Sequence, residues 1–510
     1  MSKKKGEAVE TDVAVAQARD FTPETDKGLK SEAVGLLSSI VIGVSSTAPA
    51  YSLAASLGFV AMVGGMGTKS PAIIIVAFLP MLLIAGAYYY LNKADPDCGT
   101  TFMWTVRSFG PHLGWVTGWV MVAADIIVMA SLAQITGTYF FLLFGLDSLA
   151  ASTFWVTFVG VIFLVIMTII TALGIELAAE IQWGLLGIEF VILVVFSVVA
   201  LIKVYGGGIA DSVKPQWEWF SPFGMSGSTL AGGVLLALFI YWGWDTAVSV
   251  NEETERKNIV PGLAAVISTF LLVGIYLLAT TAAQAVHGPA FLVDNADDVL
   301  SPLGTDVLGS WVTKALIFAV LTSATASTMT TILPGARTTL SMASHGAIPK
   351  IFSRMNAHYQ TPVWSTAIYG ALSVIWYVGL TAASANVLAD SIAALGLTIA
   401  FYYGINGFAA PMLYRNQIFS SAKNFFLLAF FPILGGLALF WAFVQSLINL
   451  WDPANSESGS SWFGVGPPFI LGLGFILSGV LVMFVAMYKN PEFFKRKRET
   501  VETMVQDTVV

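Results

Sequence analysis

The chain has 510 residues, of which 56% are apolar and 11% are charged, with a formal net charge of -7. A soluble domain carries roughly 25% charged residues, so the composition excludes an ordinary soluble protein, and the lack of a basic domain leaves nucleic-acid binding without support. Cys98 is the single cysteine, which excludes an intrachain disulfide. His112, His287, His345 and His358 lack metal-ligand spacing, so no metal or other cofactor is expected.

Residues 1–31 are polar and read as a disordered cytosolic tail, with Lys3 to Lys5 followed by Glu7, Glu10, Asp12, Asp20, Glu24 and Asp26. Apolar segments then fall at 34–61, 70–91, 112–144, 152–173, 181–204, 229–250, 261–286, 311–333, 361–380, 386–409, 424–446 and 465–488. Each is long enough to cross a bilayer, which takes roughly 20 mostly apolar residues. The segment starting at 112 exceeds one crossing and implies tilt. Stretches 205–228, 287–310 and 447–464 are rich in Gly, Pro, Ser and Asp and read as external caps or loops. A short tail, 489–510, follows, with Lys495, Arg496, Lys497 and Arg498 beside the membrane.

Charge placement tests this layout. With the N-terminus in the cytosol, all of the 24 Lys and Arg except Lys69, Lys203, Lys214 and Lys314 fall on the cytosolic side, as the positive-inside rule expects. An odd number of spans would scramble that bias. The expectation is a multi-pass protein of the cell membrane, embedded in the lipid bilayer, with both termini cytosolic.

Two segments carry interruptions. In the first, Gly43-Val44-Ser45-Ser46-Thr47-Ala48-Pro49 lies near mid-span. Pro49 lacks an amide hydrogen and clashes with the preceding turn, and Ser and Thr offer the backbone alternative bonds. A kinked, well-packed helix is the plainer reading. In the sixth, Phe239-Ile240-Tyr241-Trp242-Gly243-Trp244-Asp245 combines aromatic residues, a glycine and an acid that is costly in lipid. The two interruptions are five helices apart, the spacing of broken helices in inverted-repeat transporters. A break exposes amides at one half-helix end and carbonyls at the other, which suits an amino-acid zwitterion.

Asp125 and Glu189 lie mid-span in the third and fifth segments, with no Lys or Arg at their depth. Such acids suit a proton carrier or the amine of a cationic substrate, or are protonated and bonded to backbone. Ser323 and Ser327, four residues apart, share a face of the eighth segment. That face offers oxygens for Na⁺ or, the stronger reading, small-residue packing.

Three stretches then carry a family resemblance. "FIYWGWDTAVSVNEETERKNIVPG", "GARTTLSMASHGAIPKIFSRMNAHYQTPVW" and "CGTTFMWTVRSFGPHLGWVTGW" resemble signatures of the amino acid-polyamine-organocation permeases, and the likeness runs over roughly 32–490. The resemblance implies an all-α polytopic protein of 12 transmembrane helices. Its core would be a LeuT-like five-plus-five inverted repeat with discontinuous helices 1 and 6. The first repeat would span 32–205 and the second 229–410, with helices 11 and 12 over 424–488. By the same likeness, the amides of Ser45, Ser46 and Thr47 would meet a substrate carboxylate. The carbonyls of Phe239, Ile240, Tyr241 and Trp242, ahead of the Gly243 break, would meet its ammonium, with Phe239 as an aromatic gate. Ser45 and Thr47 stand where the family has glycine, which narrows the site. Asp125, Glu189, Asp245, Ser323 and Ser327 are the candidates for coupling or cation binding.

The leading reading is a secondary transporter of an amino acid, driven by H⁺ or Na⁺ or by exchange, with a polyamine or organic-cation carrier of the same fold as the alternative. A channel lacks a visible filter repeat, a sensor lacks an output domain, and an enzyme lacks a nucleophile–base constellation. No nucleotide-binding loop of the G-x-x-x-x-G-K-S/T type is present. The sequence leaves the oligomeric state open.

Overall fold

The computed structural model describes residues 27–296, 298–383, 387–456 and 460–506; the expected tail over 1–26 and residues 507–510 lie outside them. Among the described residues the regular elements are helices, with isolated bridges besides. Hydrocarbon offers no partner to a peptide group, so each apolar run pairs its backbone internally. In chain order the main helices begin with α1 (Leu36–Thr47), α2 (Pro49–Met62), α3 (Ser70–Ala94), α4 (Thr101–Phe109) and α5 (Pro111–Leu143). They continue with α6 (Thr153–Leu173), α7 (Ile175–Gly206), α8 (Gly227–Tyr241), α9 (Thr246–Ser249), α10 (Val260–Asp294) and α11 (Leu300–Leu308). The last are α12 (Ser310–Ser344), α13 (Val363–Ala383), α14 (Val387–Leu413), α15 (Phe431–Trp451) and α16 (Pro467–Lys489).

Counting α1 and α2 as one interrupted span, 11 helices among the described residues are long and apolar enough to cross a membrane. The twelfth expected segment, 229–250, differs because it is cut short. Its helix α8 has 15 residues, roughly 22 Å at 1.5 Å per residue, which falls short of a hydrocarbon core of about 30 Å. The long third segment is α5, with 33 residues, or roughly 50 Å. In the expected external stretch 287–310, α10 turns at Gly288 (φ 79°) before Pro289 and runs on to Asp294, and α11 follows. That cap is therefore largely helical.

The interrupted span lies at the centre. Its apolar stretch is 94% buried inside the protein, against 28% for α6 and for α16. α1 packs on α7, α10 and α12, while α2 packs on α8, α10 and α12. Phe154, Phe158 and Ile166 of α6, Val191 and Ile202 of α7, and Leu481 of α16 point outward, as lipid-facing side chains do.

Both described ends of the chain meet at one end of the bundle. Residues 27–31 of the expected tail are docked there, with the Lys27 side chain only 4% exposed. The Ala33 and Val34 amides donate to the Glu253 carbonyl at 2.8 and 3.0 Å. Arg107 pairs with Asp95 and, near the other terminus, with Glu499. Beneath them, Arg337 of α12 meets Glu253 in a fully buried bidentate pair at 2.8 and 2.9 Å. Removing one partner of such a pair leaves an uncompensated buried charge. Arg337→Met is therefore expected to cost about 3–5 kcal/mol, read as a lowered melting temperature in detergent. Pairing it with Glu253→Gln should restore most of the loss.

Candidate functional site

The first break falls at Ala48, where the chain turns into the left-handed region (φ 49°, ψ 68°) between α1 and α2. Pro49 at the first position of α2 has no amide hydrogen to continue the α1 ladder. Ser45, Ser46 and Thr47 thus occupy the last turn of α1. A helix presents carbonyls at that end and amides at its other end. The expected amide donors to a carboxylate are accordingly displaced from these three residues to the first turn of α2.

The protein itself pairs the peptide groups around this break. The carbonyl of Val44 accepts from Thr47 Oγ1 (2.6 Å), and that of Ser46 accepts from Ser327 Oγ (2.8 Å). The carbonyl of Thr47 accepts from Ser52 Oγ (2.6 Å), and that of Ser45 accepts from the Ala48 amide (3.2 Å). On the amide side, Ala50 N donates to Glu189 Oε1 (2.7 Å) and Tyr51 N to Ser323 Oγ (3.2 Å). Ser323 Oγ in turn donates to the same Glu189 oxygen at 2.9 Å. Glu189, reaching in from α7, therefore caps α2, where a carboxylate is favoured by the helix dipole. Its second oxygen, Oε2, is buried with no partner.

The second break lies against the first. Trp242 leaves the helical region (φ -69°, ψ 140°) and Gly243 adopts φ +121°, which side chains other than glycine rarely take. A Cβ at Gly243 would lie 2.7 Å from the Ser46 carbonyl carbon and oxygen and 2.9 Å from Thr47 N. Ser46 Oγ and Thr246 Oγ1, 2.8 Å apart, tie the two breaks together. At this break the Ile240 carbonyl accepts from the Tyr276 hydroxyl at 2.7 Å, and the Phe239 carbonyl from Trp242 N at 3.1 Å. Among the described residues nothing pairs the Trp242 carbonyl or the Gly243 and Trp244 amides.

A small pocket of about 20 Å³ lies at this junction, room for roughly one water as it stands. Of the sequence-derived candidates it is lined by Ser46, Thr47, Asp125, Phe239, Trp242, Gly243, Asp245 and Ser327. Phe239 packs edge-on to Tyr51 with ring centroids 6.3 Å apart. Asp125 is 3% exposed, and its Oδ2 has no hydrogen-bond partner. The other candidates sit elsewhere. Tyr241 turns its hydroxyl to the Ile74 carbonyl of α3 at 3.1 Å. Ser45 is buried in the α1 turn, Ile240 lies outside the lining, and Glu189 and Ser323 form the separate cap of α2. Tyr51, Ser52, Thr246 and Thr331 line the pocket without having been singled out. Tyr51 and Thr246 follow the two breaks closely, and that adjacency was the available signal.

A many-spanning helical protein with a polar pocket between two broken helices has the architecture of a membrane permease. The profile of the amino acid permease family matches residues 34–488, and the chain belongs to that family. It is 26% identical to a vacuolar cationic amino acid transporter of Arabidopsis thaliana, over 66% of this chain and 56% of that one. It therefore spans little more than half of that relative's length. A putative arginine/ornithine antiporter of Escherichia coli (strain K12) is 24% identical over 69% of this chain and 76% of its own. A branched-chain amino acid permease of Lactococcus lactis is 23% identical over 77% and 85%.

The close approach at Gly243 sets a test of the paired breaks. Gly243→Ala meets backbone that cannot move aside and a backbone angle that resists a Cβ. The expected loss is on the order of 3 kcal/mol, measured by thermal unfolding in detergent. Gly86→Ala, in α3 with nothing within 4 Å of an added Cβ, should leave the melting temperature unchanged.

Proposed function

We propose that this protein is a secondary active transporter that moves an amino acid across the cell membrane by alternating access. The observation that carries the reading is the pocket at the two facing breaks, where the Trp242 carbonyl and the Gly243 amide, both of residues that line it, have no partner among the described residues. In this account the Gly243 and Trp244 amides receive the substrate carboxylate, and the Trp242 carbonyl with Asp245 receives its ammonium. Phe239 and Tyr51 cover the apolar part of the substrate. The names of the three relatives, which speak of cationic amino acids, of arginine and ornithine and of branched-chain amino acids, support an amino-acid substrate. In this account 32–205 and 229–410 are the two repeats of a five-plus-five organisation, and the breaks fall in corresponding helices. The charge bias supports cytosolic termini.

Transport of this kind needs no catalytic residue and no cofactor beyond a coupling ion. Glu189 supports H⁺ over Na⁺ as that ion, because a carboxyl bridging α2, α7 and α12 gains or loses a charge exactly where the interrupted helix turns. A second reading, a polyamine or organic-cation carrier, draws on Asp125 and Asp245, which share a pocket whose lining has no Lys or Arg.

Purified protein in proteoliposomes, given labelled arginine, leucine or putrescine with and without an inward proton or sodium gradient, separates these. The expected result is gradient-driven accumulation of an amino acid. Accumulation of putrescine alone would move the function to the second reading, and a finding of neither accumulation nor exchange of any amino acid would remove the transporter assignment. Glu189→Gln keeps an oxygen for the Ala50 amide and Ser323 but loses the titrating group. It is expected to retain exchange and to lose accumulation driven by the proton gradient.

A further inference from the structure

Lys27 lies nine residues before α1, in a stretch whose charges read from sequence as those of a solvated tail. A lysine ammonium is rarely buried unless it is paired. Here the side chain is 4% exposed, and its Nζ pairs with Asp97 Oδ2 at 2.9 Å and with Glu252 Oε1. Asp97 sits in the turn between α3 and α4, and Glu252 follows α9, the short helix after the second break. The Cys98 thiol lies with these two carboxylates inside one 4.8 Å cluster, so the cation of this acidic cluster is the ammonium of Lys27.

Asp97 is the hub of the cluster. Its Oδ1 accepts from Ser341 Oγ (2.6 Å) and the Gly99 amide (2.7 Å), and its Oδ2 lies 2.9 Å from His345 Nε2 at the end of α12. The other ring nitrogen of His345 lies 3.2 Å from Arg496, in the segment after α16. Burial pushes the Asp97 carboxyl up, but Lys27 and His345 together outweigh it and hold the group well below the usual carboxylate range. Glu252 Oε1 also accepts from the Cys98 amide at 2.9 Å. Close by, Asn251 donates to Asn92 Oδ1 (2.8 Å) and to the Asp97 carbonyl (3.1 Å), and Val34 bridges to Thr254.

These bonds join, at one end of the bundle, the segment entering α1, the loop leaving α9, the turn after α3 and the end of α12, and α1, α9 and α12 each lend residues to the pocket lining. We propose that Lys27 is the latch that holds this end of the pathway closed, and that its withdrawal from Asp97 and Glu252 is a step of opening toward the face that carries it. The inference rests on the alternating-access reading for its place in the cycle. The latch itself is a property of the protein without substrate.

The test places a single cysteine in the pocket, Thr331→Cys in a Cys98→Ser background, and follows its reaction with a membrane-impermeant maleimide supplied from the face bearing Lys27. With Lys27 present the reaction should be slow. Lys27→Ala is expected to speed it by roughly 10-fold or more, while Lys27→Arg, which keeps the charge, should stay close to the parent. Glu252→Gln, which keeps Asp97 as a partner, should fall between, and it decides the matter if Lys27→Ala does not fold. Equal rates in parent and variants would overturn the latch. So would faster labelling of native Cys98 without faster labelling of the pocket, since that is local fraying. Because no substrate is needed, failed uptake with intact labelling changes would sink the transport reading and spare the latch. Unchanged labelling with intact uptake would do the reverse.

Discussion

A helix that stops inside a membrane leaves peptide groups that hydrocarbon cannot pair. Two helices of this protein stop at the same place, and much of the site follows from how the protein accounts for those groups. At the first break it settles them internally with Ser327, Ser52, Glu189 and Ser323. At the second, the Trp242 carbonyl and the Gly243 and Trp244 amides stay open among the described residues, and Trp242 and Gly243 line a pocket. The asymmetry matters because a small zwitterion needs an open donor and an open acceptor within a few ångströms of each other. The two breaks can lie this close because Gly243 has no Cβ to meet the Ser46 carbonyl.

Charge is distributed by the same logic. Inside the spans the acids Asp125, Glu189 and Asp245 are buried without a basic partner in the pocket lining or in the α2 cap. At the end where the described ends of the chain meet, Lys27, Arg107 and Arg337 are each matched to one or two carboxylates. Paired charges there fix how the helices sit against one another.

Much of the fold was legible because hydropathy and Lys/Arg placement act segment by segment, and both breaks announced themselves through Pro49 and Gly243. The polarity of the first break was not legible. It depends on Ala48 taking a left-handed conformation, which no glycine marks, and this puts Ser45, Ser46 and Thr47 on the carbonyl side. The role of Glu189 was half visible. A mid-span acid stands out in sequence, but that it caps α2 is a contact across 139 residues. Lys27 was hidden for the opposite reason, since a lysine among many charges gives no sign that two distant carboxylates enclose it. Tyr241 was named for its carbonyl, and nothing in the sequence showed that its hydroxyl turns to the Ile74 carbonyl of α3.

The account stands on the claim that the open peptide groups of the second break hold the substrate. A cryo-EM structure of the protein with the transported amino acid bound tests this most directly. The account predicts density for the carboxylate at the Gly243 and Trp244 amides and for the ammonium between the Trp242 carbonyl and Asp245, with Glu189 still on the Ala50 amide. A carboxylate seated on the first turn of α2, with Glu189 displaced from it, would contradict the account and return the anion site to the first break.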